Sequence, residues 1–317
     1  MPAGPNLEAI RSAHLRIAPL IHRTPVLTSE KLDERAGARL FFKCENFQKT
    51  GSFKIRGASN AVLSLAPEEA RRGVVTHSSG NHGAALARAA QFCGIPAWIV
   101  MPSNAPAAKK AAVEAYGGRV TECEPTLESR ESAAREIQER TGAQLVHPYD
   151  NLRVIAGQAT AALELLEEVP ELDFILAPVS GGGLLSGTAI AAKTVRPQIR
   201  VVGCEPKNAD DANRSLASGK LEAAAKSETM ADGLRATLCP LTFSILRERV
   251  DEIAVVSEEE IVVAMRAIWE HMKIVIEPSA AVAAAPILLR KIRGEGKRIG
   301  VILSGGNLDL GRLPFHA

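Results

Sequence analysis

Short apolar runs alternate with longer amphipathic segments along most of the chain, and this rhythm limits the possible folds more than any other feature. Strand candidates are Leu40–Lys43, Val74–Ser78, Ala97–Met101, Arg119–Cys123, Gln144–His147, Phe174–Val179, Arg200–Cys204, Ile253–Val256 and Ile299–Leu303. Helical spacing fills the gaps, as in Ala105–Tyr116, Leu127–Thr141 and Val154–Leu166. The first of these starts behind Pro102-Ser103-Asn104 and stops at Gly117-Gly118. Strands separated by helices pair in parallel, so the pattern predicts an α/β fold. Nine strands are too many for one small sheet, and two doubly wound open-sheet domains are the economical arrangement. Crossing points at Pro148-Tyr149-Asp150-Asn151 and near Arg71-Arg72-Gly73 assign 1–71 and 151–317 to a large domain and 72–150 to a small one.

Composition narrows the function classes. With 317 residues, 46% hydrophobic and 23% charged, and a formal net charge of +2, the chain can bury two cores, and it is too balanced for disorder or for a dedicated nucleic-acid binder. Its longest apolar stretches, such as Ala280–Ala285, fall short of the about 18 residues of a membrane span. No basic segment leads into an apolar core at the start, so a cytoplasmic enzyme is expected. The five cysteines are odd in number and lack a C-x-x-C pair, which reads as buried small hydrophobes in a reducing compartment. Nor do His14, His22, His77, His147, His271 and His316 show a metal-binding spacing.

Ligands of open α/β sheets collect beyond the carboxyl ends of strands, so the residues just after each strand carry most of the functional information. In Ser180-Gly181-Gly182-Gly183-Leu184 a strand gives way to a helix. Successive glycines let backbone N–H groups close around an anion while the helix N-terminus adds positive potential, which suits a phosphate. Ser186 stands at the last glycine of a G-x-G-x-x-G, and no G-x-x-x-x-G-K-[ST] is present, so neither a dinucleotide fold nor a P-loop is indicated. A tight turn without ligand is the alternative. The second turn, Ser78-Ser79-Gly80-Asn81-His82-Gly83, suits a substrate carboxylate, with Asn81 able to donate to a phenolate oxygen; alternatively Ser79 or Asn81 caps the helix. In the third, Ser304-Gly305-Gly306-Asn307, Ser304 can meet a heteroaromatic ring nitrogen or simply end the strand. Lys54 lies in Gly51-Ser52-Phe53-Lys54-Ile55-Arg56-Gly57, among apolar neighbours that can desolvate its amine and make it nucleophilic. A phosphate cradle, a carboxylate cradle, a ring-nitrogen partner and a desolvated lysine together point to pyridoxal phosphate.

The order of these motifs resembles the fold-type II pyridoxal phosphate enzymes of the serine racemase and serine/threonine dehydratase family. The resemblance covers nearly the whole chain, from Thr24-Pro25 through Phe41–Asn46, Gly51–Ala58, Ser78–Gly83, Val154–Gln158, Ser180–Leu184 and Ile276–Ser279 to Ser304–Asn307. It implies a tryptophan synthase β-like architecture, a homodimer, and a small lobe that closes over an amino-acid substrate. Lys54 is implied to carry the cofactor and to act as base, with Phe53 against the ring. Asn81 is implied at the 3′-oxygen, Ser180, Gly181, Gly182, Gly183 and Leu184 at the phosphate, and Ser304 at the ring nitrogen, which a serine leaves largely unprotonated. Ser180 replaces the first of four glycines usual in the family. Ser78, Ser79, Asn81, His82 and Arg130 match substrate-handling positions. For His82 a turn hydrogen bond, and for Arg130 a solvated place on its helix, are the alternatives. Glu205, the Ala209 carbonyl and Asp211 match a site for Mg²⁺, Mn²⁺ or Ca²⁺; without the resemblance the same residues read as an acidic helix start.

The implied reaction is dehydration and deamination of a β-hydroxy amino acid, L-serine or L-threonine, to a 2-oxo acid and ammonia. Racemisation needs a second acid opposite Lys54, and Ser79 matches the family serine in that role. Ala236 stands where mammalian racemases have a substrate-contacting serine, and His147-Pro148-Tyr149-Asp150 looks more like the dehydratases, which puts racemisation second. Hydroxyaspartate ammonia-lyases share the motifs. The short stretch after Ser304 is expected to leave no room for an isoleucine-sensing regulatory domain. A non-catalytic binder of a phosphorylated ligand and a β-replacement enzyme of the cysteine synthase kind are the competing classes.

Overall fold

The structure, a computed structural model, describes residues 4–78, 80–105, 107–223 and 228–315, with the side chains of Ala108 and Arg312 outside the description. Ten strands form among them: β1 (Val26–Leu27), β2 (Arg39–Cys44), β3 (Val74–His77), β4 (Ala97–Pro102), β5 (Arg119–Cys123), β6 (Gln144–Leu145), β7 (Phe174–Pro178), β8 (Arg200–Pro206), β9 (Glu252–Val256) and β10 (Arg298–Leu303). They build a six-stranded sheet in the order β1-β2-β10-β7-β8-β9 and a four-stranded sheet in the order β5-β4-β3-β6. Among the pairings of these ten strands, β1–β2 alone is antiparallel. The α/β architecture with two open sheets is therefore the one that forms.

Each expected strand has its counterpart, and the differences have local causes. β6 ends at Leu145 instead of His147 because the His147 Nδ1 accepts the Asp150 N–H at 2.9 Å and curls the chain out of the ladder. β1 is two residues long, too short to leave a periodic trace. The helix expected over 154–166 runs over Leu152–Glu168, because Asn151 caps it by accepting from the N–H groups of Arg153 and Val154 at 2.9 and 3.2 Å.

Burial follows the sheets. One core packs Leu40, Phe42, Val301 and Leu303 against the helices Glu258–Met272 and Pro278–Leu288. On the opposite face Ile175, Val179 and Ile302 meet the helices Leu152–Glu168 and Gly183–Val195. A third core joins the four-stranded sheet, through Val74, Ile99 and Met101, to Ile55, Ala58 and Val62 of the helix Lys54–Leu63. That helix touches its neighbour at backbone distance: a Cβ on Gly57 would lie 2.8 Å from the Val154 carbonyl, and one on Gly157 2.5 Å from that of Arg56. Glycines in two helix interiors thus reflect close approach, which outweighs their cost of about 1 kcal/mol each.

Beneath the first turn of the Lys54 helix lies a fully buried ionic network. Arg56 donates to both oxygens of Glu45 (2.7 and 2.8 Å) and both of Glu164 (2.7 and 2.8 Å), and to Thr160 at 3.1 Å. Lys43 completes it with 2.6 Å bonds to Glu164 and to the Thr24 carbonyl. Lys43, Glu45, Arg56 and Glu164 are each 0% exposed, so only mutual neutralisation makes their burial tolerable. No helix among the described residues is long and apolar enough to cross a membrane.

Candidate active site

Strand order, not sequence proximity, assembles the site. β10, last in the chain, is inserted between β2 and β7, so three adjacent carboxyl ends deliver the Lys54 segment, the Ser304 turn and the glycine loop. Leu303 is in register with Cys44, and Ser52 forms an isolated bridge with Gly305. The Phe53 N–H donates to the Ser304 carbonyl at 3.0 Å and ties two of these segments together. From the other sheet come the turn after β3, with Ser78 and Asn81, and the 147–150 loop after β6.

Lys54 opens its helix with its Nζ 3.5 Å from the Pro148 carbonyl and 5.1 Å from the centroid of the Phe53 ring. The residue keeps some accessible surface but sits deep in the molecule. Burial lowers its pKa to about 8, against an opposing pull from Glu277. A substantial neutral fraction near physiological pH is the condition for nucleophilic and basic chemistry.

The glycine loop leads into the helix Gly183–Val195, whose N-cap Gly182 has φ +86°. No side chain caps this helix, so its leading N–H groups have no partner from the helix itself and point out of its first turn. A β-carbon on Gly181 would collide with the ring of Tyr149, and one on Gly182 would come within 2.8 Å of Thr242. Ser180 is locked by its Oγ, which donates to the Ala236 carbonyl and accepts the Ala236 N–H, both at 2.9 Å. Tyr149 and Thr242 shape the loop and were not among the sequence candidates. Their positions depend on tertiary contact, and the only sequence hint was Tyr149 at a crossing point. Burial pushes the Tyr149 phenol up to about 12, so it stays protonated.

Asn81 does not cap its helix. The N-cap of Asn81–Cys93 is Gly80, without a side-chain cap, and the Asn81 amide reaches across to the other sheet. Its Nδ2 donates to the Glu277 carboxylate at 3.0 and 3.3 Å, and its Oδ1 accepts from Asn307 at 2.9 Å. Glu277 is 4% exposed, and burial followed by the nearby Asp232 charge raises its pKa to about 8. In the sequence Glu277 stood only within the run Ile276–Ser279 that contributes to the family resemblance, with no role attached.

His82 is buried, and its Nε2 lies 2.9 Å from the Val146 carbonyl, which fixes that nitrogen as the donor. Burial and the Lys54 charge hold its pKa down at about 3, so the ring is neutral, and its buried Nδ1 has no partner among the described residues. Ser78 accepts the Gly80 N–H at 3.4 Å. Arg130 bonds the Thr126 carbonyl at 3.2 Å and influences His77 at the end of β3, so it stands on its helix near the site edge. Ser79, the expected second acid, lies outside the described residues. Ser304 is 2% exposed at the floor, and the buried Ser52 Oγ beside it has no protein partner among the described residues. The uncapped helix start, the partly neutral lysine and this unpartnered hydroxyl fit a phosphate-bearing carbonyl ligand such as pyridoxal phosphate.

A second cluster sits at the end of β8. Glu205 is 0% exposed and accepts the N–H groups of Ala212 and Asn213 at 3.1 and 2.9 Å, while Asp211 accepts that of Leu238 at 3.3 Å. Burial raises Glu205 to about 8 and Asp211 to about 6. Ala209 is buried between them in the chain. No group of three or more His, Cys, Asp or Glu in a metal-holding arrangement occurs among the described residues. Two buried carboxylates and a carbonyl still make an all-oxygen donor set of the kind a hard cation takes.

Comparison with known proteins agrees with this geometry. The family model described as pyridoxal-phosphate dependent enzyme matches residues 17–305. The chain is 52% identical over 313 residues to a serine racemase of Oryza sativa subsp. indica, covering 97% of this chain and 92% of that protein. It is 51% identical over 312 residues to a β-hydroxyaspartate dehydratase of Paracoccus denitrificans, covering 98% and 99%. The solved structure of maize serine racemase superposes with a TM-score of 0.95 at 49% identity, covering 98% of this chain and 95% of that one. The chain belongs to the pyridoxal-phosphate dependent enzymes.

Proposed function

We propose that the protein dehydrates and deaminates a β-hydroxy amino acid, with racemisation at the same Cα as a second outcome. The observation that carries this reading is Lys54, a partly neutral amine at the meeting point of three strand ends. Ser180 and the backbone of Gly181–Leu184 would hold the cofactor phosphate, Asn81 its phenolate oxygen, Ser304 its ring nitrogen and Phe53 its face. Bound pyridoxal phosphate supplies an electron sink for negative charge at the substrate Cα. Lys54 takes the Cα proton. Departure of the β-hydroxyl as water then leaves an enamine, which hydrolyses to the 2-oxo acid and ammonia. The N–H groups heading the Asn81 helix suit the substrate carboxylate, with Ser78 beside them; the His82 Nε2 is spent on Val146 and its Nδ1 is an acceptor, so His82 contributes through its backbone. Arg130 is left a role at the edge of the site. If a proton returns to Cα from Ser79 on the opposite face, the product is the D-amino acid.

The relatives' names support both outcomes, and the Paracoccus enzyme supports hydroxyaspartate as an alternative substrate. A divalent cation, Mg²⁺, Mn²⁺ or Ca²⁺, is proposed at Glu205, Asp211 and the Ala209 carbonyl. Leu238 bonds Asp211 and Ala236 bonds Ser180, so one short segment connects that cluster to the phosphate cradle. We also propose a homodimer, a cytoplasmic location, and closure of residues 72–150 over the substrate.

Purified protein should show an absorbance band after addition of pyridoxal phosphate, and borohydride reduction should fix the label on Lys54. Incubation with L-serine, L-threonine and the threo and erythro hydroxyaspartates, followed by assays of oxo acid, ammonia and D-amino acid, ranks the substrates. Label on another lysine, or no oxo acid from any of these, would sink the proposal. Chelation followed by Ca²⁺ or Mg²⁺ addition should raise the melting temperature in the native chain and not in Asp211→Asn.

A further inference from the structure

An asparagine amide offers a donor on one side and an acceptor on the other, and the two differ only by a flip about χ2. A donor role toward a ligand therefore requires something that forbids the flip. Glu277 meets that requirement. Its carboxyl group, enclosed at 4% exposure, receives the Asn81 Nδ2 across both oxygens at 3.0 and 3.3 Å. A flipped Asn81 would set Oδ1 against those oxygens and Nδ2 against the Asn307 Nδ2, which now donates to Asn81 at 2.9 Å and to the Thr50 carbonyl at 2.7 Å. The contact with Asn307 would turn repulsive, and the one with Glu277 would lose its donor from Asn81. With one Nδ2 hydrogen engaged by Glu277, the other remains for a ligand.

The carboxylate is itself held in place. The Glu277 N–H donates to the Gly305 carbonyl at 3.0 Å, and a Cβ on Gly305 would come within 2.6 Å of Oε1. Glycine at 305 thus makes room for this side chain beside Ser304. We propose that Glu277 is a positioning residue that fixes the Asn81 amide with its free N–H toward the cofactor oxygen and thereby joins the Asn81 turn to the Ser304 turn. This rests on the assignment of Asn81 to the cofactor.

The experiment separates acceptor placement from charge. Glu277→Gln keeps the reach and an acceptor oxygen but cannot ionise; Glu277→Asp keeps the carboxyl group and shortens the reach. Each is prepared in the wild-type background and with Asn81→Ala, and cofactor affinity and the bound absorbance band are read on protein whose circular dichroism is native. Asn81→Ala should weaken affinity on the order of tenfold and shift the band. Glu277→Asp should do the same without adding to Asn81→Ala, while Glu277→Gln should stay within about twofold of wild type. The inference is overturned, with the Asn81 assignment intact, if Gln behaves like Asp or worse, or if the Asp and Asn81→Ala effects add in full. Unchanged affinity and band in Asn81→Ala overturns both.

Discussion

Replacing Arg56 with methionine tests whether the buried network holds the floor of the site. The change removes five hydrogen bonds, four of them to carboxylates that are 0% exposed. Before it, Lys43 and Arg56 balance Glu45 and Glu164; after it, one negative charge is buried without compensation. Breaking a buried pair in this way costs about 3–5 kcal/mol. With an unfolding entropy of about 2 cal/mol/K per residue over 317 residues, the melting temperature should fall by about 5–8 °C. Glu45→Gln in the same background leaves Lys43 against Glu164 and restores neutrality, so urea melts of the single and double variants should show coupling of about 2 kcal/mol or more. The pH dependence has a defined sign. Burial pushes the Glu164 carboxyl up, but Arg56 and Lys43 together pull its pKa below the usual value. Its contribution is therefore fully present above the unfolded carboxyl pKa and is lost as pH falls through the folded one, and Arg56→Met should flatten the acid limb of the stability curve. A loss under about 1 kcal/mol, or full additivity with Glu45→Gln, would refute the network's role.

Gly181→Ala should greatly weaken cofactor retention, because the new methyl meets the Tyr149 ring, and Tyr149→Ala should recover part of the loss; measured cofactor affinity decides. The rate at which apoprotein takes up pyridoxal phosphate at Lys54 should rise through about pH 8, not above pH 10, as followed by absorbance. For the same reason the apoprotein should gain stability as pH rises from about 8 toward the ordinary lysine value of 10.5, a gain that Lys54→Met removes. The pair between Lys109 and Asp232 is partly exposed at 34% and 41%, so Asp232→Asn should cost no more than about 1 kcal/mol and less in high salt, by urea melts.

Much of the fold was legible because parallel strands buried on both faces leave apolar runs. Ala97–Met101 and Phe174–Val179 are such runs, and both became strands with nearly the same ends. Helix ends were less legible where the cap lay outside the apolar pattern, as at Asn151. Among the candidate site residues, Ser180–Leu184 and Ser304 stood out because glycine and serine after an apolar run have few local uses, and Lys54 because apolar neighbours flank it. Glu277, Tyr149 and Thr242 did not, since a glutamate before a proline, a tyrosine in a loop and a threonine in a helix have many.

What the sequence withholds is the order in which strands are laid side by side. The glycine loop at 180–184 and the turn at 304–307 are distant from Lys54 in the chain, and nothing in any one motif requires them to meet. They meet because β10 pairs with β2 on one side and β7 on the other, with Ile302 facing the Phe41 and Ile175 core and Leu303 the Phe42 and Leu176 core. That choice of neighbours is made by side-chain fit on both faces of the sheet. The same pairing sets Gly305 against Ser52 and Glu277, so a methyl at 305 would strain the Ser304 turn and the Asn81–Glu277 contact together. Gly305→Ala should therefore lower cofactor affinity and shift its absorbance band while leaving the helix content unchanged by circular dichroism. A variant that lost helix content in step with affinity would show that the turn supports the sheet, not the site.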